Sequence, residues 1–453
     1  MFSKVLVANR GEIAVRVMRA CSELGISTAA VYSETDRECL HTQMAGEAVC
    51  VGPGSPTESY LNVPNIISAA LKVGADAIHP GVGFLSENAF FAEICHQYGI
   101  AYVGPSPEVI AAVADKSLAI EFAREAGLPT LETSNRELLD VQTAKSELQR
   151  IGCPAMLKAK AGGGGRGLRR VQTPAELPEL FVRAQAEARG SFSIGDLYLE
   201  RLVTGARHVE VQILADEAVQ LHLWERDCSV QRRHQKVIEE SPAPGLSSEL
   251  RGKLAQAAVD LTRYLNYTNA GTVEFLVGDD GDFYFIEINS RLQVEHPVTE
   301  AITGVDIVKK QLAIAAGEGI GMTQGEITST GHAIECRVLA EDASRDWQPA
   351  SGVITKFVAP GGPGIRIDTH AYDGYNVPPN YDSLLAKITC WGRDRPEAVA
   401  RASRAIAECE IEGVTNNLAY LEEALSDPAF VRGQYHLDKS LGASQPDTAL
   451  VAV

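Results

Sequence analysis

The chain has 453 residues, 45% of them hydrophobic and 22% charged, an ordinary globular composition with room for roughly two to four domains. Its formal net charge of -18 argues against nucleic acid or an anionic membrane as the main partner, and a polyanionic substrate would need a local cluster of positive charge. Nine scattered cysteines without a C-x-x-C pair argue against a disulfide frame or zinc site, and neither a signal peptide nor a spanning apolar run is evident, so a cytoplasmic protein with reduced thiols is expected.

Lys4 to Ala8 reads as a short buried strand, followed by a helical pattern from Glu12 to Leu24 and a second strand near Thr28 to Tyr32. The turn Asn9-Arg10-Gly11-Glu12 in this βαβ opening lacks the glycine fingerprint of a dinucleotide site. Further strand ends are expected at His79-Pro80-Gly81 and at Val103-Gly104-Pro105-Ser106. Ligands collect at such carboxyl ends in open parallel sheets. Residues 1–113 are therefore taken as one α/β domain.

Lys116 falls on a helix, where a lysine usually belongs to a solvated face. Residues 132–150 read as polar and helical, and Pro154 opens a strand that ends at Lys158. The run Gly162-Gly163-Gly164-Gly165-Arg166-Gly167 contains a formal G-x-G-x-x-G, but strand-like Leu168 to Val171 follows it where a helix should open. A flap whose backbone N–H groups wrap phosphate oxygens is favoured over a plain linker, because strands and basic residues flank the run. Tyr198 to Val203 suits a connector between lobes.

His208 and Glu210 alternate with Val209 and Val211 on the next strand. Residues 225–240, ERDCSVQRRHQKVIEE, are dense in charge; a solvated loop is the usual reading, yet Gln231, Arg232, Arg233, His234 and Lys236 gather positive charge in an acidic protein. After a helix from about Ser247 to Leu265 come two strand-like runs, Gly271 to Val277 and Phe283 onward, joined by the turn residues Gly278-Asp279-Asp280-Gly281. Alternation puts Glu287, Asn289 and Arg291 on one face and Tyr284, Ile286 and Ile288 on the other. Glu274 faces opposite to Val273 and Phe275, so in matching register Glu274 and Glu287 project into one space. Two such carboxylates with the Asn289 amide suit Mg2+ or Mn2+ bridging phosphates; ordinary salt bridges on a sheet edge are the alternative. A helix from Thr299 to Ala316, a strand from His332 to Leu339 with Glu335 and Arg337 on one face, and a helix from about Pro396 to Glu410 complete the chain.

Five runs now carry a resemblance: VANRGEIAVRV (7–17), HPGVGFLSEN (79–88), the glycine flap with its lysine (158–167), ERDCSVQRRHQKVIEESPAP (225–244) and EINSRLQVEHPVTE (287–300). The chain resembles biotin carboxylase, the ATP-grasp subunit of biotin-dependent acyl-CoA carboxylases, over residues 1 to about 445. The resemblance implies a multidomain fold of α/β and α+β class. It would comprise an N-terminal Rossmann-like domain (1–113), an ATP-grasp domain (114–330) with a mobile lid at about 131–203, a C-terminal mixed domain (331–445) and a short tail (446–453).

Carried over by motif, Lys116 and Lys158 would bind ATP phosphates beneath Gly164 and Gly165. Glu200, Arg201, Leu202 and Val203 would form the adenine-side connector, with His208, Gln231 and His234 by the nucleotide. Glu274, Glu287 and Asn289 match the ligands of two Mg2+ or Mn2+ ions. Lys236, Arg291 and the Val294 backbone match the bicarbonate site, Glu295 the general base and Arg337 the group facing the ureido oxygen of biotin. The implied reaction is bicarbonate attack on the γ-phosphate of ATP to give carboxyphosphate, then carboxylation of biotin, the first half-reaction of acetyl-CoA carboxylase in fatty acid synthesis. The carboxyphosphate hydrolyses readily, which would explain a closing lid that excludes water.

No Met-Lys-Met biotinylation motif occurs, so the biotin is expected on a separate carrier protein, with carboxyltransferase subunits as further partners and a homodimer as the assembly. Val82 stands where the family has Tyr near the biotin pocket, Lys160 and Ala161 where it has Ser and Gly, and Ala114 where it has Gly; the Pro-Gly expected after Leu128-Pro129 is missing. These departures bear on biotin affinity and on the lid. Three other readings stay open: the corresponding component of another acyl-CoA, pyruvate or urea carboxylase, a non-biotin ATP-grasp ligase, and a homologue that binds nucleotide without turnover.

Overall fold

A computed structural model describes residues 1–134, 138–159, 169–192, 196–232, 235–342, 345–437 and 441. The sequence-predicted residues Gly164, Gly165 and His234, the departures Lys160 and Ala161, and the tail 446–453 lie outside the described residues.

Five parallel strands open the molecule: β1 (Lys4–Val7), β2 (Ser27–Ser33), β3 (Glu47–Gly52), β4 (Ala77–His79) and β5 (Ala101–Tyr102), in the order β3-β2-β1-β4-β5. β1 is apolar on both faces because both are covered. Leu6 packs with Ile66, Ile78 and Phe91 on one side, and Val5 and Val7 pack with Ile13 and Val17 on the other. At the carboxyl edge the Asn9 amide donates to the carbonyls of Pro80 at 2.6 Å and Val82 at 2.8 Å, tying the loop after β1 to the loop after β4. Gly81 has φ +67, and a Cβ there would meet Asn9 Nδ2 at 2.8 Å, so both the backbone and the space require glycine.

β6 (Ala155–Ala159), β7 (Arg169–Val171) and β8 (Leu197–Arg201) form a small antiparallel sheet. With helices Val141–Ile151 and Leu177–Phe192 it encloses a core of its own, including Leu148, Leu157, Phe181 and Leu199. The helix predicted over 132–150 is confined to Val141–Ile151. Asp140 caps it by accepting from the Thr143 N–H, and Thr133 instead bridges to Glu200.

Eight further strands build one antiparallel sheet, and the short strands left over pair two by two. β9 (Arg207–Ala215), β10 (Gln220–Arg232), β11 (Gln235–Ser241), β12 (Asn269–Val277), β13 (Phe283–Asn289) and β14 (His332–Leu339) are joined by Leu384–Gly392 and Ile365–Thr369. The order is β13-β12-β9-β10-β11-β14, then Leu384–Gly392, then Ile365–Thr369. The charged run 225–240 is thus no solvated loop: its described part forms β10 and β11, and Glu225, Arg226, Asp227, Glu239 and Glu240 are buried. The predicted helix over 299–316 is two helices, His296–Thr303 and Ile307–Ala315, because Gly304 turns left-handed at φ +70 and Asp306 caps a new start. Among the described residues no helix is long and apolar enough to cross a membrane, and all nine cysteines are free.

Candidate active site

β12 and β13 form the predicted hairpin, with Glu274 opposite Glu287. A register shift follows, since Phe275 pairs with Phe285 and leaves Ile286 as the extra residue of a bulge. The bulge corrects the predicted alternation. Ile288 and Phe285 enter the core with Val273 and Phe275, whereas Tyr284 and Ile286 pack on the other face with Leu131, Leu276 and Val203.

The rung through Glu274 continues across the sheet. Glu274 stands opposite Glu210 on β9, and Glu210 stands opposite Arg226 on β10. Glu287, Glu274, Glu210 and Arg226 therefore form one row over four strands. Like charges directly opposed destabilise a ladder unless cations intervene, and three carboxylates in a row need them here. Arg226, fully buried, donates to Glu210 at 2.5 Å and also to Gln212, Thr272 and Thr299. Lys236 reaches over from β11 to Glu210 at 2.5 Å, Glu274 at 3.1 Å and Glu295 at 2.7 Å.

Glu295 begins the turn into helix His296–Thr303, and its other oxygen accepts from Arg337 at 2.9 Å. Burial alone would raise the Glu295 carboxyl, but Lys236, Arg337 and Arg226 outweigh it and hold it well below the usual range. Glu274 is depressed the same way, burial losing to Lys236 and to His208, whose Nε2 lies 2.8 Å from its carboxylate. Lys236, buried among three carboxylates, is held well above the usual lysine value.

Asn289 and Gln293 donate to Glu274 at 2.8 and 3.1 Å. Glu274 and Glu287 carboxylates with the Asn289 amide make an all-oxygen donor set that fits a hard divalent cation. The His208, Glu210 and Glu274 ligand atoms also converge within 4.8 Å of one another. Gln231 donates to His208 Nδ1 at 3.2 Å and to the Cys228 carbonyl at 3.0 Å. Arg291 donates to Glu87 at 2.9 Å, which joins the HPGVGFLSEN run of the first domain to this site, and to Asn289 Oδ1 at 3.2 Å. The Val294 carbonyl accepts from Lys387 at 2.8 Å.

Beside this network lies a cleft lined by Lys116, Leu131, Lys158, Tyr198, Glu200 and Ile286 among others. Lys116, the first residue of helix Lys116–Glu125, pairs with Glu287 at 3.2 Å, which raises it. Lys158 on β6 pairs with Glu200 on β8. Arg201 ends β8, and Leu202 N–H donates to the Pro154 carbonyl at 3.1 Å. The fold thus brings Lys116, Lys158 and Glu200 into one cleft and His208, Gln231, Lys236, Glu274, Asn289, Glu295 and Arg337 into the network behind it, whereas Arg201 is exposed and neither it nor Leu202 lines the cleft. Sequence reasoning gave no role to Glu210, Arg226, Glu239, Gln293, Glu87 or Lys387. For Glu210 the signal was present, since it shares a face with His208 and alternates with valines that face the core.

Residues 1–110 match the family model described as the biotin carboxylase N-terminal domain, and residues 335–439 match the biotin carboxylase C-terminal domain. Residues 115–323 match the ATP binding domain of the carbamoyl-phosphate synthase L chain. The chain is 51% identical to a biotin carboxylase of a Nostoc species over 434 residues, 95% of this chain and 97% of the relative. It is 47% identical to a pyruvate carboxylase subunit of Methanothermobacter thermautotrophicus, covering 96% and 89% of the two chains. A solved structure of the biotin carboxylase domain dimer of Hydrogenobacter thermophilus 2-oxoglutarate carboxylase, in complex with magnesium ADP and bicarbonate, superposes with a TM-score of 0.91 at 45% identity, covering 96% of each chain.

Proposed function

The chain belongs to the biotin carboxylase family and is a ligase that carboxylates biotin, and from that premise we propose how its residues divide the work. The cleft takes ATP, with Lys116 and Lys158 on the phosphates beneath the Gly164–Gly165 flap. Glu200, Arg201, Leu202 and Val203 lie along the adenine, with His208, Gln231 and His234 nearby. Glu274, Glu287 and Asn289 hold Mg2+ or Mn2+, which when bound neutralises phosphate charge. The Hydrogenobacter domain, solved with magnesium ADP and bicarbonate, supports both ligands.

Lys236, Arg291 and the Val294 backbone hold bicarbonate, Glu295 takes its proton, and Arg337 faces the ureido oxygen of biotin and stabilises the negative charge that develops there. The observation that carries this reading is the double grip on Glu295, by Lys236 at 2.7 Å and Arg337 at 2.9 Å. Without substrate the two cations keep Glu295 ionised and make it a weak base. When bicarbonate draws off Lys236 and biotin draws off Arg337, the carboxylate loses its counter-charges and its proton affinity rises. The base therefore strengthens only as both substrates assemble. The test is Mg2+-dependent ATP cleavage measured with and without bicarbonate and free biotin. Cleavage should need bicarbonate and rise with biotin, and equal rates with and without bicarbonate would sink the assignment.

The partners follow from the same reading. Biotin arrives on a separate carrier protein, the carboxylate passes to carboxyltransferase subunits, and the chain works as a cytoplasmic homodimer. We assign it to acetyl-CoA carboxylase, on the likeness to biotin carboxylases such as the Nostoc protein. The likeness to the Methanothermobacter pyruvate carboxylase component keeps pyruvate as the second reading. Reconstitution with each carrier and transferase pair, scored by which acyl acceptor is carboxylated, separates the two.

A further inference from the structure

Arg337 is held from two sides. Its Nη2 donates to Glu295, and its Nε donates at 2.5 Å to Glu239 on β11. Glu239 stands directly opposite Glu335 of β14, and residues so paired share a face with Cβ atoms about 4.5–5.5 Å apart. Both glutamates are fully buried. Each has one oxygen with a donor, Arg337 for Glu239 and the Thr389 hydroxyl at 3.0 Å for Glu335. The other oxygens, Oε2 of Glu239 and Oε1 of Glu335, find no hydrogen-bond partner among the described residues.

The nearby cations do not fill the gap. On the strand beyond β14, Lys387 directs its donors at the Val294 carbonyl and at Glu12, 3.1 Å away. On β11, Lys236 is engaged by Glu210, Glu274 and Glu295. Asp368, on the strand after that of Lys387, adds negative charge toward Glu335. Two buried carboxylates on opposed residues, each with one bare oxygen, would each bear a full desolvation cost. One proton between them supplies a donor and an acceptor together, in a charge-assisted hydrogen bond.

We propose that Glu239 and Glu335 share a single proton, and that this buried acid pair is a positioning element for Arg337, leaving the guanidinium directed at Glu295 and the acceptor only while the proton is present. Burial raises both carboxyls, against Arg337 at Glu239 and against Lys387 at Glu335. The two titrate as a pair, so the proton leaves as the pH rises. The second negative charge then pulls Arg337 deeper onto the sheet, away from Glu295. The consequence for turnover rests on the assignment of Arg337 and Glu295 above; the shared proton does not.

The test combines infrared spectroscopy with a pH profile on the full chain. Substrate-free wild-type protein at neutral pH should show a protonated-carboxyl C=O band that titrates away on the alkaline side and is missing from both Glu239→Gln and Glu335→Gln. In either variant an amide faces a carboxylate, so the local charge no longer changes with pH. Biotin-dependent turnover, each protein normalised to its own maximum, should fall at alkaline pH in the wild type, and that limb should flatten in the variants. A wild type without the band, or a band that survives in both variants, overturns the shared proton whatever the chain catalyses. An alkaline limb unchanged in the variants overturns the link to Arg337. ATP cleavage indifferent to bicarbonate would instead overturn the assigned reaction and leave the band in place. The wild-type titration needs no variant to fold.

Discussion

The cleft and the network behind it are both built from lysines facing glutamates, yet they are finished to different degrees. In the cleft, Lys116 and Glu287 form a single pair at 3.2 Å with side chains 55% and 31% exposed, so water competes for each. In the network, Lys236 has three carboxylate partners, Arg226 four side-chain acceptors and Glu295 two cations, nearly all out of solvent. An exposed pair is worth about 0–1 kcal/mol and yields easily to a charged ligand. A buried one costs about 3–5 kcal/mol to break on one side. The Lys116 side of the cleft is thus left for a nucleotide to complete, while the network, like the buried Lys158–Glu200 pair at the other side of the cleft, is completed by the fold.

The hardest blow to that contrast is Lys236→Met. It strands Glu210, Glu274 and Glu295 without their shared cation, so stability should fall by about 3–5 kcal/mol, measured by denaturant unfolding. The same change at Lys116, with water available, should cost about 1 kcal/mol or less. Equal losses would erase the distinction. The pH dependence has two sides. Glu274 and Glu295 are depressed, so their contribution is present above the unfolded carboxyl value of about 4.3 and disappears as the pH falls through their lower folded values. Glu239 and Glu335 are raised, so their contribution is present below that value and disappears as the pH rises through their folded ones. Stability should therefore decline in both directions, and Glu335→Gln should soften only the alkaline decline.

Arg291→Ala sharpens the comparison at the boundary, since Arg291 joins Glu87 of the first domain to Asn289 of the hairpin. Turnover should drop by roughly 10²–10³-fold, the scale for one charged stabiliser in a dry site, with ATP binding largely kept. A mutant that keeps its saturated rate but loses nucleotide affinity would move Arg291 into the cleft.

What could be read from the chain divides along the same line. The hairpin was legible because four turn residues between two strand-like runs are local signals, and so were the βαβ opening and the strand that leads into Lys158. The Ile286 bulge was not, because nothing local in FYFIEIN marks the extra residue; it follows from Phe285 and Ile288, three residues apart, both entering the same core, which regular alternation would place on opposite faces. The run 225–240 misled for a related reason. Its charges are satisfied by Glu210, Thr272 and Thr299, which lie on other strands or helices, and no window of sequence shows that. The split at Gly304 was visible in hindsight, a glycine followed two residues later by a capping aspartate.

Glu287→Gln probes the unfinished side. A neutral amide cannot balance a divalent cation, so the apparent metal affinity should weaken by about 10–100-fold or more, with turnover partly restored by raising Mg2+. Folding stability should change by about 1 kcal/mol or less, since the pair with Lys116 is wet. A large stability loss with normal metal dependence would place Glu287 in the finished network.

The smallest effect is expected at a wall that neither region supplies. Val82 is half-buried, its side chain rests against the core that the first sheet shares with residues such as Leu214, Leu292 and Ile307, and its carbonyl is fixed by Asn9, so its backbone is positioned independently of what the side chain is. Tyr would add a ring and a hydroxyl where Val offers only a small apolar surface. If this wall borders the acceptor, free biotin should saturate poorly in the wild type, while carrier-bound biotin is helped by its high effective concentration. Val82→Tyr should then tighten free biotin by about 1 kcal/mol, the scale of one aromatic contact, and leave ATP and bicarbonate saturation unchanged. Biotin saturation curves for both proteins decide it. A tyrosine variant that binds biotin no better, or that shifts ATP affinity instead, would detach residue 82 from the acceptor pocket and leave the cleft and the network as the only surfaces that substrates touch.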